Sequence, residues 1–199
     1  MRRIVIFNRV SADGYFAKHD GDLSWFVPDE AIDRGGADGI PRFDAMLFGR
    51  RTYEMFEHFW PNALNDPSTA PDPHDATRRT TAIRQMAVWI NDTHKLVFSS
   101  TRAELSWKNS QLLGKFEPRR VEELKEKPGK DLIVFGSGSI VSLLTEHGLV
   151  DEYQFIVSPL LLGEGKAMVS GVSKGQPLVL LEAKPYDSGN VMLRYARKS

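Results

Sequence analysis

The run Leu132-Ile133-Val134-Phe135 is wholly apolar, and Gly136-Ser137-Gly138-Ser139 follows it without a gap. A helical pattern then runs from Ile140 to His147 and stops at Gly148. An apolar quartet bounded by small residues reads as a strand buried on both faces, and a strand passing directly into a helix reads as a parallel β-α unit. The order recurs along the chain. Ala45-Met46-Leu47-Phe48 ends at Gly49, and a helix is expected from Arg50 to Trp60, where Pro61 stops it. Lys95-Leu96-Val97-Phe98 ends at Ser99-Ser100-Thr101, and Ile4 to Phe7 forms a buried, central strand before Ser11-Ala12-Asp13-Gly14. Repeated units of this kind constrain the chain to an open α/β sheet.

The remaining segments fill in that plan. Pro28 to Gly35 has acids in its first turn and a glycine stop, which predicts a short helix. Asn62 to His74 is polar and proline-rich, a surface loop, after which Asp72 can cap a helix with Pro73 in its first position, running to about Asn91. Pro118 to Lys125 is a short charged helix ended by Pro128-Gly129. The stretches Glu152 to Leu162, Pro177 to Ala183 and Val191 to Arg197 read as three strands with no helix between them, so the parallel units give way to an antiparallel end. Val191-Met192-Leu193 is a candidate exposed edge, whose covering by a second copy would make a homodimer.

Composition limits the chemistry. With 199 residues the chain fits one domain, and 41% hydrophobic and 26% charged residues are ordinary for a packed fold. Lys plus Arg and Asp plus Glu both number 26, so no global field favours nucleic acid, and an anion site has to be built locally. The absence of cysteine removes disulfides, thiolate nucleophiles and Cys-ligated metals. The four apolar residues before Asn8 are too few for a signal-peptide core and nothing approaches a membrane span, which gives the expectation of a cytoplasmic protein with no membrane partner.

Three motifs fail on context. Gly171-Val172-Ser173-Lys174-Gly175 matches the serine-hydrolase pattern, but Gln176-Pro177 leads into a strand and no histidine follows. Gly136-x-Gly138 lacks the third glycine of the dinucleotide fingerprint, Val141 standing in its place. The histidines at 19, 58, 74, 94 and 147 have no metal-ligand spacing, so no metal site is expected.

What remains is a set of three strand ends: Gly49-Arg50-Arg51-Thr52, Ser99-Ser100-Thr101 and Gly136-Ser137-Gly138-Ser139. In an open α/β sheet, ligands lie beyond the carboxyl ends of the strands, where helix N-termini offer free N–H groups to phosphates. Arg50 and Arg51 at a helix start oppose the helix dipole and call for an anion. Each glycine has a plainer use in a tight turn, and Ser139 as a helix cap.

The same junctions in the same order resemble those of dihydrofolate reductase and of the reductase domain of riboflavin-biosynthesis deaminase-reductases, over nearly the whole chain. Ser11-Ala12-Asp13-Gly14-Tyr15-Phe16-Ala17 and Pro159-Leu160-Leu161-Leu162-Gly163-Glu164-Gly165 are similar to segments of the riboflavin-type branch. The resemblance implies a dihydrofolate-reductase-like three-layer α/β sandwich, its mostly parallel sheet ending in antiparallel strands with helices on both faces. It implies NADPH as cofactor, its phosphates on Gly49, Arg50, Arg51 and Thr52 and its 2′-phosphate on Ser99 and Ser100. The pyrophosphate would lie against Gly136, Ser137, Gly138, Ser139 and Ile140, where Ser137 replaces the commoner glycine. Asp13 and Ala17 would sit near the nicotinamide, with Asp13 the catalytic candidate.

Trp25, Phe26 and Tyr53 are candidate substrate contacts, although each could equally pack in the core. Asp29, Glu30 and Asp33 are the only acids placed where folate reductases carry a carboxylate, and acids at a helix start also stabilise that helix. The implied activity is hydride transfer to a small pterin-like or ribosylaminopyrimidine-like heterocycle. A catalytically inactive nucleotide-binding or regulatory module on the same fold is the alternative. No zinc-deaminase signature is present, so the first reaction of the bifunctional enzymes is not expected here.

Overall fold

The computed structural model describes residues 1–63 and 80–198. One eight-stranded sheet runs through it in the order β5-β4-β3-β6-β1-β7-β10-β9. The strands are β1 (Ile4–Ser11), β3 (Phe43–Gly49), β4 (His94–Phe98), β5 (Ser110–Gly114), β6 (Asp131–Val134), β7 (Glu152–Ser158), β9 (Leu178–Pro185) and β10 (Val191–Arg197). Neighbours from β5 through β7 are parallel, and β10 joins β7 and β9 antiparallel. Two short strands, β2 (Tyr15–Ala17) and β8 (Lys166–Ala167), form a separate ribbon. The helices are α1 (Glu30–Gly39), α2 (Arg50–Phe59), α3 (Thr81–Asp92), α4 (Pro118–Glu126) and α5 (Gly138–Glu146). The α/β architecture with a mostly parallel sheet and an antiparallel end is the one the sequence implies.

The apolar quartets are unbroken because both sheet faces are covered. Ile4, Ile6, Leu47, Leu132 and Val134 face a core completed by Val121 and Leu124 of α4 and Val141 and Leu144 of α5. Val5, Met46, Phe48 and Ile133 face the opposite core, with Tyr53 of α2 and Ile90 of α3. The period-two alternation along each strand sends successive side chains to different cores.

Several boundaries differ from expectation. The helix predicted to stop at Gly35 continues to Gly39: Asp29 caps it by accepting from the Ala31 and Ile32 amides, and Met86 of α3 packs beside Gly36. The helix expected from Pro73 is described only from Thr81, capped by Thr80; Asp72 and Pro73 lie outside the described residues. The strand expected to reach Leu162 ends at Ser158. Val191-Met192-Leu193 is not an edge, since β10 is paired on both sides and β9 forms the edge instead. Val179, Leu180 and Leu181 of β9 are about half exposed. Among the described residues no helix is long and apolar enough to cross a membrane.

The two ends of the parallel strands differ in chemistry. At the amino ends, the buried Glu152 carboxylate receives Arg3, Arg42, Arg194 and Gln154 at 3.1, 3.1, 3.0 and 2.6 Å. Nearby, Asp131 takes Arg42 at 2.9 Å, Asp151 takes Lys125 at 2.6 Å, and Arg2 pairs with Asp44. Lys95, fully buried, donates to the carbonyls of Asn91, Thr93 and Lys108. At the carboxyl ends the sheet opens into a cleft.

Candidate functional site

The cleft has a volume of about 1500 Å³ and is bounded by the three strand ends singled out in the sequence, two of which lead into helices. Gly49, Arg50, Arg51 and Thr52 line it at the end of β3, and Ser99 and Ser100 at the end of β4. Gly136, Ser137, Gly138, Ser139 and Ile140 line it at the end of β6, and Ala17 closes it from the β2 side. The parallel register places the strand ends side by side, because β3 pairs with both β4 and β6.

Two helices start at this cleft, and neither start is capped by a side chain. Gly49 precedes α2 and Ser137 precedes α5, both without a side-chain hydrogen bond to the first turn. Among the described residues Asp29 caps α1 and Thr80 caps α3, while α4, which also lacks a side-chain cap, begins away from the cleft on Pro118, whose missing N–H removes one first-turn donor. The first-turn N–H groups of α2 and α5 therefore remain available to an anion. The cap residue of α5 is Ser137, and Ser139 lies inside the helix with its hydroxyl 2.8 Å from that of Ser137.

The glycines here are held by close approach. A Cβ on Gly49 would stand 2.4 Å from Ser137 Oγ and 2.8 Å from Ile140 Cγ1, so the two junctions are in contact. A Cβ on Gly138 would stand 2.8 Å from the Phe16 ring. The Gly136–Ser137 peptide bond is cis.

The two arginines divide their duties. Arg50 is already engaged by Glu54, one helical turn on, at 3.0 and 3.2 Å. Arg51 is exposed and makes no hydrogen bond or ion pair among the described residues. Of the two it is the cation still seeking an anion. Ser99 is also partly committed, since its hydroxyl accepts from the Thr101 and Arg102 amides and shapes the turn. Lys115, absent from the sequence-based set, lines the cleft beside it because Ser99 N–H bonds Gly114 O across β4 and β5. Its signal was hidden in β5, a polar, alternating edge strand that gave no apolar run.

The far side of the cleft lies over β1, β7 and β10. Phe26 is on its wall, as are Arg9, Asp33, Gln154 and Met192. Arg9 is 9% exposed; it donates to Val27 O at 3.3 Å, approaches Asp33 at 3.5 Å and lies 5.7 Å from the centre of the Phe26 ring. Burial lowers its pKa against the pull of Asp33 and Asp29. Of the three acids near the start of α1, Asp29 is the helix cap, and Glu30 faces solvent beside Arg34. Asp33 is the acid that reaches the cleft.

Three expected site residues lie elsewhere. Tyr53 is fully buried under the sheet, where its hydroxyl donates to Glu57 and accepts from the Trp107 amide; burial raises its pKa. Arg51 and Thr52, its neighbours in α2, line the cleft, and Tyr53 does not. Trp25 stands edge-on behind Phe26, with ring centres 4.4 Å apart, and does not reach the cleft wall. Asp13 turns outward. Its carboxylate accepts from Ser11 Oγ at 2.5 Å, Leu162 N at 3.2 Å and Gly163 N at 2.7 Å. These hydrogen bonds, led by Ser11, hold its pKa below the usual carboxylate value. Asp13 thus ties the first loop to the Pro159–Gly165 segment, which accounts physically for the co-occurrence of those two motifs in one chain. Gly165 seals the contact: its φ is +151°, and a Cβ there would lie 2.4 Å from Ala17 O.

Comparison with known proteins agrees with this architecture. An uncharacterised Bacillus subtilis (strain 168) protein, YyaP, is 27% identical over 198 residues, covering 98% of this chain and 94% of its own. A protein assigned to riboflavin biosynthesis from Shewanella sp. PV-4 superposes with a TM-score of 0.73 at 19% identity over 99% of each chain. Dihydrofolate reductase from Enterococcus faecalis, solved with NADP(H), gives 0.62 at 10% identity, over 99% of this chain and 97% of its own. At these identities the structural likenesses establish the fold. The family model described as the RibD C-terminal domain matches residues 2–192, and the chain belongs to that family.

Proposed function

We propose that the chain is an NADPH-dependent reductase that transfers hydride to a C=N or C=O bond of a small pterin-like or ribosylaminopyrimidine-like heterocycle. The observation that carries this reading is the pair of uncapped helix starts, at Gly49 and Ser137, facing one cleft with the exposed Arg51 of the first turn of α2, which has no ion pair among the described residues. Such an arrangement suits a pyrophosphate. The Ser99–Ser100 turn with Lys115 beside it suits a further phosphate, the feature that separates NADPH from NADH.

The chemistry asks little of acids and bases. Holding donor and acceptor carbons roughly 3 to 3.5 Å apart supplies most of the acceleration of a hydride transfer. NADPH brings the hydride; the protein orients it and excludes water. Where the acceptor needs a proton, Asp33 is the group in place to relay one, and an Asp33→Asn variant with full turnover would remove it from that role.

The first experiment is a fluorescence titration with NADPH and NADH on the wild type and Lys115→Ala. The reading expects NADPH to bind at least tenfold more tightly than NADH, with that preference reduced in the variant. Absence of binding to either nucleotide overturns it. Turnover of any member of a pterin and aminopyrimidine panel then establishes catalysis. Nucleotide binding without turnover across that panel favours a binding module instead.

The half-exposed Leu180 and Leu181 also support a homodimer contact at the β9 edge. Light scattering is expected to give a dimer for the wild type and a monomer for Leu180→Asp/Leu181→Asp. A monomeric wild type at micromolar concentration defeats this.

A further inference from the structure

Four charged side chains form a row between two of the strand ends. Arg50, at the start of α2, binds both carboxylate oxygens of Glu54, at 3.2 and 3.0 Å. Glu54 Oε1 lies 3.7 Å from the Arg102 guanidinium, and Arg102 in turn reaches Glu57 at 3.1 Å. Arg102 follows the Ser99-Ser100-Thr101 turn and donates its backbone N–H to Ser99 Oγ. The row thus links the junction after β3 to the turn after β4, with cation and carboxylate alternating. Of the four, Arg50 alone lines the cleft.

The two carboxylates are held differently. Besides Arg102, Glu57 accepts from Ser106 Oγ at 2.6 Å, Tyr53 Oη at 2.9 Å and the Trp107 amide at 3.2 Å, which fix it in place. Among the described residues Glu54 has only the two arginines as partners. Both members of the Arg50–Glu54 pair are 39% exposed, and an exposed pair one helical turn apart adds so little to stability that it is readily exchanged. A phosphate at the α2 N-terminus competes with Glu54 for Arg50, since both are anions that a guanidinium binds through its N–H groups. Arg102 stands close enough to receive the carboxylate that Arg50 lets go.

We propose that Glu54 is the resident counter-ion of the phosphate site: it holds Arg50 until a ligand phosphate displaces it, and Arg102 then takes over the carboxylate. Glu54 and Arg102 are positioning residues, which set the affinity of the site without touching the ligand. The inference rests on the proposed binding of NADPH, so inorganic pyrophosphate is titrated beside NADPH to separate the two claims. Dissociation constants are measured at low and high salt for the wild type, Glu54→Gln, Arg102→Ala and the double variant. Glu104→Gln, which removes an exposed acid two residues from Arg102, controls for net charge.

At low salt Glu54→Gln is expected to bind both ligands about threefold more tightly than the wild type, the size of an exposed charge pair. High salt should erase the gain, because exposed charges are screened. Arg102→Ala should weaken binding in the wild-type background and have no effect in the Glu54→Gln background, where no carboxylate is left to receive. Unchanged or weaker binding by Glu54→Gln overturns the proposal, as does an equal gain in Glu104→Gln. Equal losses from Arg102→Ala in both backgrounds also overturn it, since Arg102 would then act on the ligand itself. A wild type that binds pyrophosphate but not NADPH defeats the reductase reading, and the same order of variants on pyrophosphate then decides the role of Glu54. A wild type that binds neither defeats both.

Discussion

The two ends of the parallel strands are built from the same residues' neighbours and yet do opposite things. At the amino ends nearly every charge is paired: Glu152 gathers three arginines, Asp131 and Asp151 hold Arg42 and Lys125, and Lys95 is wrapped in carbonyls. At the carboxyl ends polar groups are left open, with two helix starts uncapped and, among the described residues, Arg51 without an ion pair and Asn8 Oδ1 without a hydrogen-bond partner. One end is saturated and holds the sheet together. The other keeps unsatisfied groups that a ligand completes.

The comparison breaks most visibly at Glu152. Burial alone would push its carboxyl up, but the hydrogen bonds of Arg42, Gln154 and Arg194 and the charge of Arg42 bring it down from 4.5 to about 2. Glu152→Gln leaves three partly exposed arginines facing an uncharged group, and the loss should lie near the lower end, about 3 kcal/mol, of what breaking a fully buried pair costs. Urea unfolding should show that loss, while the folded variant binds NADPH like the wild type. A carboxyl with a depressed pKa contributes fully above its ordinary range and loses that contribution as pH falls from 4.5 towards about 2. Wild-type stability should therefore drop through that window, and Glu152→Gln should flatten the drop.

At the open end, Gly49→Ala is the next largest change. Its Cβ cannot fit against Ser137 and Ile140, so a loss of about 1 to 3 kcal/mol is expected, as for overpacking generally. Unlike Glu152→Gln, it should also abolish nucleotide binding, because both junctions shift. Arg51→Ala should move only one of the two readouts: stability within about 0.5 kcal/mol of wild type, as for an exposed side chain, and NADPH affinity lowered. A stability loss from Arg51→Ala without an affinity change would reverse the assignment of the two ends. Tyr53→Phe should move only the other readout: it removes the hydroxyl shared by Glu57 and the Trp107 amide, costs about 1 kcal/mol of stability and leaves affinity intact.

How much of this was legible in the sequence depended on the distance over which each signal acts. The apolar quartets and their glycine or hydroxyl endings are local, and the strand ends they mark carry eleven of the twelve residues expected to bind the cofactor, all on the cleft wall; the twelfth, Ala17, followed from the resemblance of the Ser11–Ala17 segment and also lies there. β5 was not legible, because an edge strand covered on one side carries a mixed pattern, Ser110-Gln111-Leu112-Leu113-Gly114. Tyr53 and Asp13 were misplaced for a different reason. Whether Tyr53 faces cleft or core depends on the rotation of α2, and what Asp13 bonds lies about 150 residues away. Arg9, Asn8 and Lys115 stand in or beside ordinary strands, and only the packing of neighbouring elements brings them to the cleft.

The position of β1 has a consequence for biosynthesis. It precedes the other seven strands of the sheet in sequence, and both its neighbours, β6 and β7, come from residues 131–158. Until that part of the chain has been translated, Ile4-Val5-Ile6 has no strand to join, and its unpaired edge is open to wrong partners. Sheet closure around β1 is thus a late, long-range event, and folds of that kind form slowly. A chaperone acting on this chain has its work defined by the wait of the first strand for its neighbours, and ribosome-bound chains arrested before residue 131 should be the aggregation-prone ones.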